Sequence, residues 1–95
     1  MTLTLDDMRC ALKIVLPHKR SEEINGLSDE ALLATDLRAD WGLDSLDVIE
    51  MLMDIQSKFR IPEYIFSDIY FGVLEGSLSI ESVLSCFNSN LNENQ

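Results

Sequence analysis

Apolar residues recur along this chain three and four positions apart, and alternation of period two is nowhere convincing, so the pattern predicts helices and no sheet. A first helix is expected over about residues 4–16, with Leu5, Met8, Leu12, Val15 and Leu16 on one face. Thr4 with Asp7 forms a capping pair at its start, and Pro17 stops it by pushing the preceding residue out of helical geometry. Residues 17–43 show no sustained period and read as a long connection holding one turn at Ser28–Leu33. Leu27, Leu32, Leu33, Leu37 and Leu43 are expected to pin that connection to the core. A second helix is predicted from Ser45 to Phe59. A short third runs from Pro62 or Glu63 to Tyr70, with proline at its start and Ile65, Phe66 and Ile69 inward. The last follows the cap residue Ser79 and carries Ile80, Val83, Leu84 and Phe87 as its apolar stripe. The predicted fold is all-α: a small four-helix bundle, three main helices plus one short one, with a long loop between the first and second. Residues 1–88 are expected to form the domain and residues 89–95 a frayed polar tail.

The helix predicted over residues 45–59 has one apolar stripe more than a small bundle can bury. At about 100° per residue from Leu46, the residues Val48, Met51, Leu52, Ile55 and Phe59 share an arc of roughly 140–240°. Asp47, Glu50 and Asp54 cluster at about 40–100°, while Leu46, Ile49 and Met53 fall at roughly 300–360°, beside the acids. The second stripe is either covered by the long loop or the third helix, or it is a docking ridge for a groove with basic rims. Met53 would let such a ridge repack against different surfaces.

Charge sharpens this picture. Of the net −10, residues 1–20 contribute +2, residues 21–54 contribute −9 and residues 55–95 contribute −3. Arg38 is the one basic group within 21–54, against ten carboxylates. That field repels nucleic acid and anionic membrane and steers toward basic protein surfaces. The 95 residues, 46% apolar and 25% charged, fit one globular domain. No apolar run approaches a membrane span, and the N-terminus has no basic start followed by an apolar stretch, so no signal peptide is read; a monomer in the cytoplasm is expected. Cys10 and Cys86, far apart within apolar-periodic segments, read as buried thiols rather than a disulfide or a metal site.

Ser45 stands at the junction of the acidic connection and the two-faced helix, where a hydroxyl serves either as a helix cap or as an attachment point. A nucleophilic serine needs a base, and the single histidine, His18, lies in a polar stretch with no nucleophile-elbow motif around Ser45. A calcium loop over residues 36–47 fails because Arg38, Trp41 and Asp47 occupy its third, sixth and twelfth positions. No catalytic residue and no metal ligand is therefore expected. What remains is a serine modified by another protein's active site, or a cap within an unmodified acidic helical adaptor.

The run from Asp36 to Leu52, with Gly42-Leu-Asp-Ser-Leu at its centre, resembles the prosthetic-group attachment region of acyl carrier proteins. The resemblance is dense over about residues 36–62, closing with Phe59 and Ile61-Pro62, and thinner elsewhere. It implies that Ser45 receives 4′-phosphopantetheine from coenzyme A by the action of a separate phosphopantetheinyl transferase. The arm's thiol then carries acyl groups as thioesters. It implies that Asp44 helps the transferase and its magnesium engage the site. Leu46, Ile49 and Met53 would dock on partner enzymes, with Asp47, Glu50 and Asp54 meeting their basic residues. Expected partners are the transferase, an acyl-loading enzyme, and ketosynthase- or acyltransferase-type enzymes of fatty acid, polyketide or related lipid synthesis; a peptidyl or aminoacyl carrier is the alternative. Three departures point to a specialised pathway. The run Gln56-Ser-Lys-Phe-Arg60 is neutral to basic, the Ile69–Ser79 segment looks long and aromatic for a link, and Trp41 is bulky for an attachment loop.

Overall fold

In a computed structural model, which describes residues 1–93 apart from the side chains of residues 18, 19 and 93, the described chain forms six helices. They are α1 (Leu5–Val15), α2 (His18–Gly26), α3 (Asp29–Leu33), α4 (Ser45–Phe59), α5 (Glu63–Glu75) and α6 (Ile80–Glu93). The all-α prediction holds, and α1, α3 and α4 stand where the pattern put them. In α1 the capping box forms as read: Asp7 N–H donates to Thr4 Oγ1 at 3.2 Å, and Thr4 N–H donates to Asp7 Oδ2 at 2.8 Å.

The core is continuous through the bundle. Met8 and Leu12 of α1 and Val48, Met51, Leu52 and Ile55 of α4 are buried, as are Ile65, Phe66 and Ile69 of α5 and Ile80, Val83 and Phe87 of α6. At about 25 cal/mol per Å² of apolar surface, this burial is what holds six short helices that would be marginal alone. Leu32, Leu37 and Leu43 pin the connection to this core as expected, with Leu27 and Leu33 half-buried against it.

Four expectations need correction. The long connection contains a second full helix, α2, whose sequence His18-Lys-Arg-Ser-Glu-Glu-Ile-Asn-Gly offers one buried apolar residue, Ile24, and hence no period to detect. It is secured from outside: Arg9 of α1 donates to the carbonyls of Ile24 (2.6 Å) and Leu27 (3.0 Å), satisfying the free end of α2. Its fork also reaches Asp29 at 2.8 Å. α5 is longer than predicted, because the aromatic stretch read as a link continues the helix to Glu75. Gly72 permits this, since a Cβ there would meet Cys86 Sγ at 2.8 Å, so the glycine lets α5 and α6 approach closely. The polar tail expected from residue 89 is helical through Glu93, with Leu91 buried one turn beyond Phe87; residues 94 and 95 lie outside the described residues. Finally, Cys10 is exposed, because it lies about 200° round α1 from Met8. Cys86 is half-buried, and burial pushes its thiol pKa up.

Candidate functional site

The segment between α3 and α4 is wound tightly around Asp36. Its carboxylate Oδ2 accepts the N–H groups of Arg38 (2.9 Å) and Ala39 (2.8 Å), and its carbonyl accepts those of Asp40 (3.0 Å) and Trp41 (3.3 Å). Asp40 reciprocates, its Oδ2 accepting Asp36 N–H at 2.7 Å. Aspartate suits this position because its short side chain bonds the backbone two and three residues on. Gly42 takes the left-handed conformation at φ 67°, which turns the chain toward α4 while its N–H donates to the Arg38 carbonyl at 3.0 Å.

This turn is tied down on three sides. Leu37 N–H donates to the Leu78 carbonyl and Ile80 N–H to the Thr35 carbonyl, each at 2.9 Å, forming one antiparallel bridge to the link before α6. Trp41 is not a protrusion from the loop but an anchor. It is 5% exposed, and its Nε1–H donates to Thr35 Oγ1 at 2.9 Å. Arg20 of α2 lies over its ring at 5.1 Å and donates to the Asp40 carbonyl at 2.5 Å. The unpredicted helix therefore braces the turn that precedes Ser45.

The helix start decides the state of Ser45. The N-cap of α4 is Asp44, not Ser45: Asp44 Oδ1 accepts Asp47 N–H at 2.8 Å, and Asp47 Oδ2 accepts Asp44 N–H at 3.2 Å. Ser45 is thus the first helical residue, exposed, with a hydroxyl that no cap consumes. Its Oγ accepts one hydrogen bond, from Arg38 Nη2 at 2.6 Å. At this end of a helix the unsatisfied N–H groups and the macrodipole favour a negative group. The cap reading of Ser45 is overturned by the aspartate beside it.

The two faces of α4 separate as projected. Val48, Met51, Leu52 and Ile55 are buried and Phe59 is half-buried, whereas Leu46 and Met53 are 64% and 54% exposed. Ile49 is half-buried between them, Glu50 is exposed, and Asp47 and Asp54 are half-buried at the edge of the ridge. Neither the connection nor α5 covers Leu46 and Met53. Among the described residues no cluster of three or more His, Cys, Asp or Glu is placed to hold a metal, and no helix is long and apolar enough to cross a membrane.

Sequence reasoning did not assign roles to Arg38 and Arg20. For Arg38 a signal existed: it is the one base in a stretch of ten acids, seven residues before the serine. Arg20 gave none, because the ring and the carbonyl that it meets at the turn are brought near only by folding, and its local ion pair with Glu23 at 3.5 Å does not point to them.

No curated protein and no solved structure matches the chain significantly. Residues 22–68, from within α2 to the first half of α5, match the family model described as "Phosphopantetheine attachment site". The match spans the braced turn, Ser45 and the two-faced helix. Residues 22–68, just under half of the chain, are thus similar to the phosphopantetheine-binding carrier domains, a family that bears a covalent 4′-phosphopantetheine and works with modifying and biosynthetic enzymes.

Proposed function

We propose that this protein is a non-enzymatic acyl carrier of the cytoplasm, monomeric, with Ser45 as its attachment residue. One observation carries the reading: Asp44 takes the cap of α4, leaving Ser45 Oγ exposed at the helix start with Arg38 as its hydrogen-bond partner. The residues fit the group, since a phosphodiester on Oγ would face a guanidinium and the positive end of a helix. When bound, the arm supplies a thiol for acyl thioesters. In the loading step the Ser45 Oγ–P bond forms as a P–O bond of the coenzyme A pyrophosphate breaks. The hydroxyl proton passes to the transferase, and adenosine 3′,5′-bisphosphate leaves.

The remaining residues position partners. Asp44 offers an exposed carboxylate beside Ser45 to the transferase and its magnesium while its Oδ1 holds the cap. Leu46, Ile49 and Met53 provide a small apolar contact, and Asp47, Glu50 and Asp54 meet basic rims. A carrier must visit several enzymes and leave them, which favours steering charge with a modest contact over a large interface. We further propose a specialised pathway rather than the routine fatty-acid set, because Lys58 and Arg60 break the acidic character where α4 ends.

Intact mass after incubation with coenzyme A, magnesium and a broad-specificity transferase tests the reading. A gain of one phosphopantetheine, absent in Ser45→Ala, is expected; no gain with several transferases overturns it.

A further inference from the structure

We infer that Arg38 is the anion-binding residue of the attachment site: its guanidinium grips the phosphodiester once Ser45 carries it. This rests on the attachment reading of Ser45 and adds to it a residue that holds the root of the arm.

Three observations lead here. First, Arg38 Nη2 already lies 2.6 Å from Ser45 Oγ. The unesterified oxygens of a phosphate built on that atom stand two bonds further out, within the span of a guanidinium fork that binds phosphate through two parallel N–H donors. Second, the root of Arg38 is fixed. Its N–H is held by Asp36 at 2.9 Å and its carbonyl by Gly42 N–H at 3.0 Å, and neighbouring Leu37 is fully buried. With the backbone of the turn fixed, only the rotamers of the Arg38 side chain are left to order toward Ser45. Third, the charge of Arg38 is not taken up elsewhere. It enters none of the ion pairs described, and its one side-chain hydrogen bond among the described residues is to Ser45. The nearby carboxylates are engaged otherwise, Asp36 and Asp40 with backbone N–H groups of the turn and Asp44 with the cap.

Electrostatics supplies the need. Residues 21–54 hold ten carboxylates, and a phosphodiester adds a further negative charge at the edge of that field. Much of the repulsion lies within a Debye length of about 8–10 Å and is only partly screened. One cation at the point of attachment offsets it locally while leaving the ridge of α4 acidic for basic partners. Before modification the same side chain does little, because a hydrogen bond between two exposed side chains contributes little to stability.

The test compares wild type, R38Q and R38K, each modified to completion with excess transferase and checked by intact mass. Thermal midpoints are measured for the unmodified and modified forms, and ³¹P spectra for the modified ones. Modification is expected to lower the midpoint of R38Q by about 2–4 °C more than that of wild type. The phosphodiester resonance should move between wild type and R38Q, with R38K restoring part of both effects because it keeps the charge but not the fork. Equal midpoint losses in the two forms, with an unmoved ³¹P resonance, overturn the proposal and leave Ser45 as the attachment residue. Failure of R38Q alone to accept the group also overturns it, in favour of a role in the transfer step. If wild type gains no mass, the attachment reading falls and this one with it.

Discussion

The starts of α1 and α4 are built on the same capping box, and one difference separates a hydroxyl that caps a helix from one that does not. At α1 the cap is Thr4, whose Oγ1 accepts the Asp7 N–H and also donates to the Asp7 carboxylate at 2.8 Å. At α4 the cap is an aspartate, and the hydroxyl stands one residue later, where it accepts from Arg38 instead of from a backbone N–H. Ser28 and Ser79 repeat the α1 arrangement, accepting the N–H groups of Ala31 and Ser82 at 3.2 Å each. A hydroxyl used as a cap is held by backbone; the hydroxyl displaced from the cap is held by a side chain, Arg38. The acid beside Ser45 therefore serves a structural end first, and any role toward a transferase comes on top of it.

The largest effect that would break this comparison is all-or-none. Ser45→Ala should abolish uptake of phosphopantetheine in an intact-mass assay while changing unfolding free energy by less than about 0.5 kcal/mol, as for a surface site that caps nothing. A loss near that of a cap would return Ser45 to a structural role. The two stripes of α4 come next. Leu52→Ala should cost about 3 kcal/mol in denaturant unfolding, because it opens a cavity in the core. Met53→Glu, on the exposed ridge, should cost less than about 0.5 kcal/mol yet slow acyl transfer with partner enzymes. Unfolding of the domain by Met53→Glu would place that residue in the core.

A smaller effect sharpens the two starts directly. Asp44→Ala and Thr4→Ala should each cost about 1 kcal/mol, since each removes an N-cap. Only Asp44→Ala should also slow modification of Ser45, measured as initial rate of mass gain. The smallest effect concerns the thiols. Cys10 is exposed, whereas burial raises the Cys86 pKa, so at pH 8 less of Cys86 is thiolate and Cys10 should react first with a disulfide reagent. Equal rates would mean that α5 and α6 open readily around Gly72.

Much of this molecule was legible in one dimension because its signals are local. Helical periodicity located α1, α4 and the start of α6, the Thr4–Asp7 pair marked a cap, and proline stopped α1. Projection of α4 separated the buried stripe from Leu46, Ile49 and Met53 using only helix geometry. α2 escaped because one apolar residue makes no period; what holds it is Arg9 reaching from another helix. The extent of α5 escaped because Gly72 weakens a helix in isolation and is needed only where α6 comes close.

The site divides in the same way. The sequence by itself determined that Ser45 begins an amphipathic helix within an acidic stretch and beside a surplus apolar ridge, since these follow from spacing and charge. Only the tertiary structure decided that Asp44 takes the cap, that Trp41 turns inward under Arg20, and that Arg38 reaches Ser45 Oγ. Each of these depends on where side-chain atoms from a folded turn meet, and hydrogen bonds of 2.5–3.2 Å are set by that meeting, not by distance along the chain.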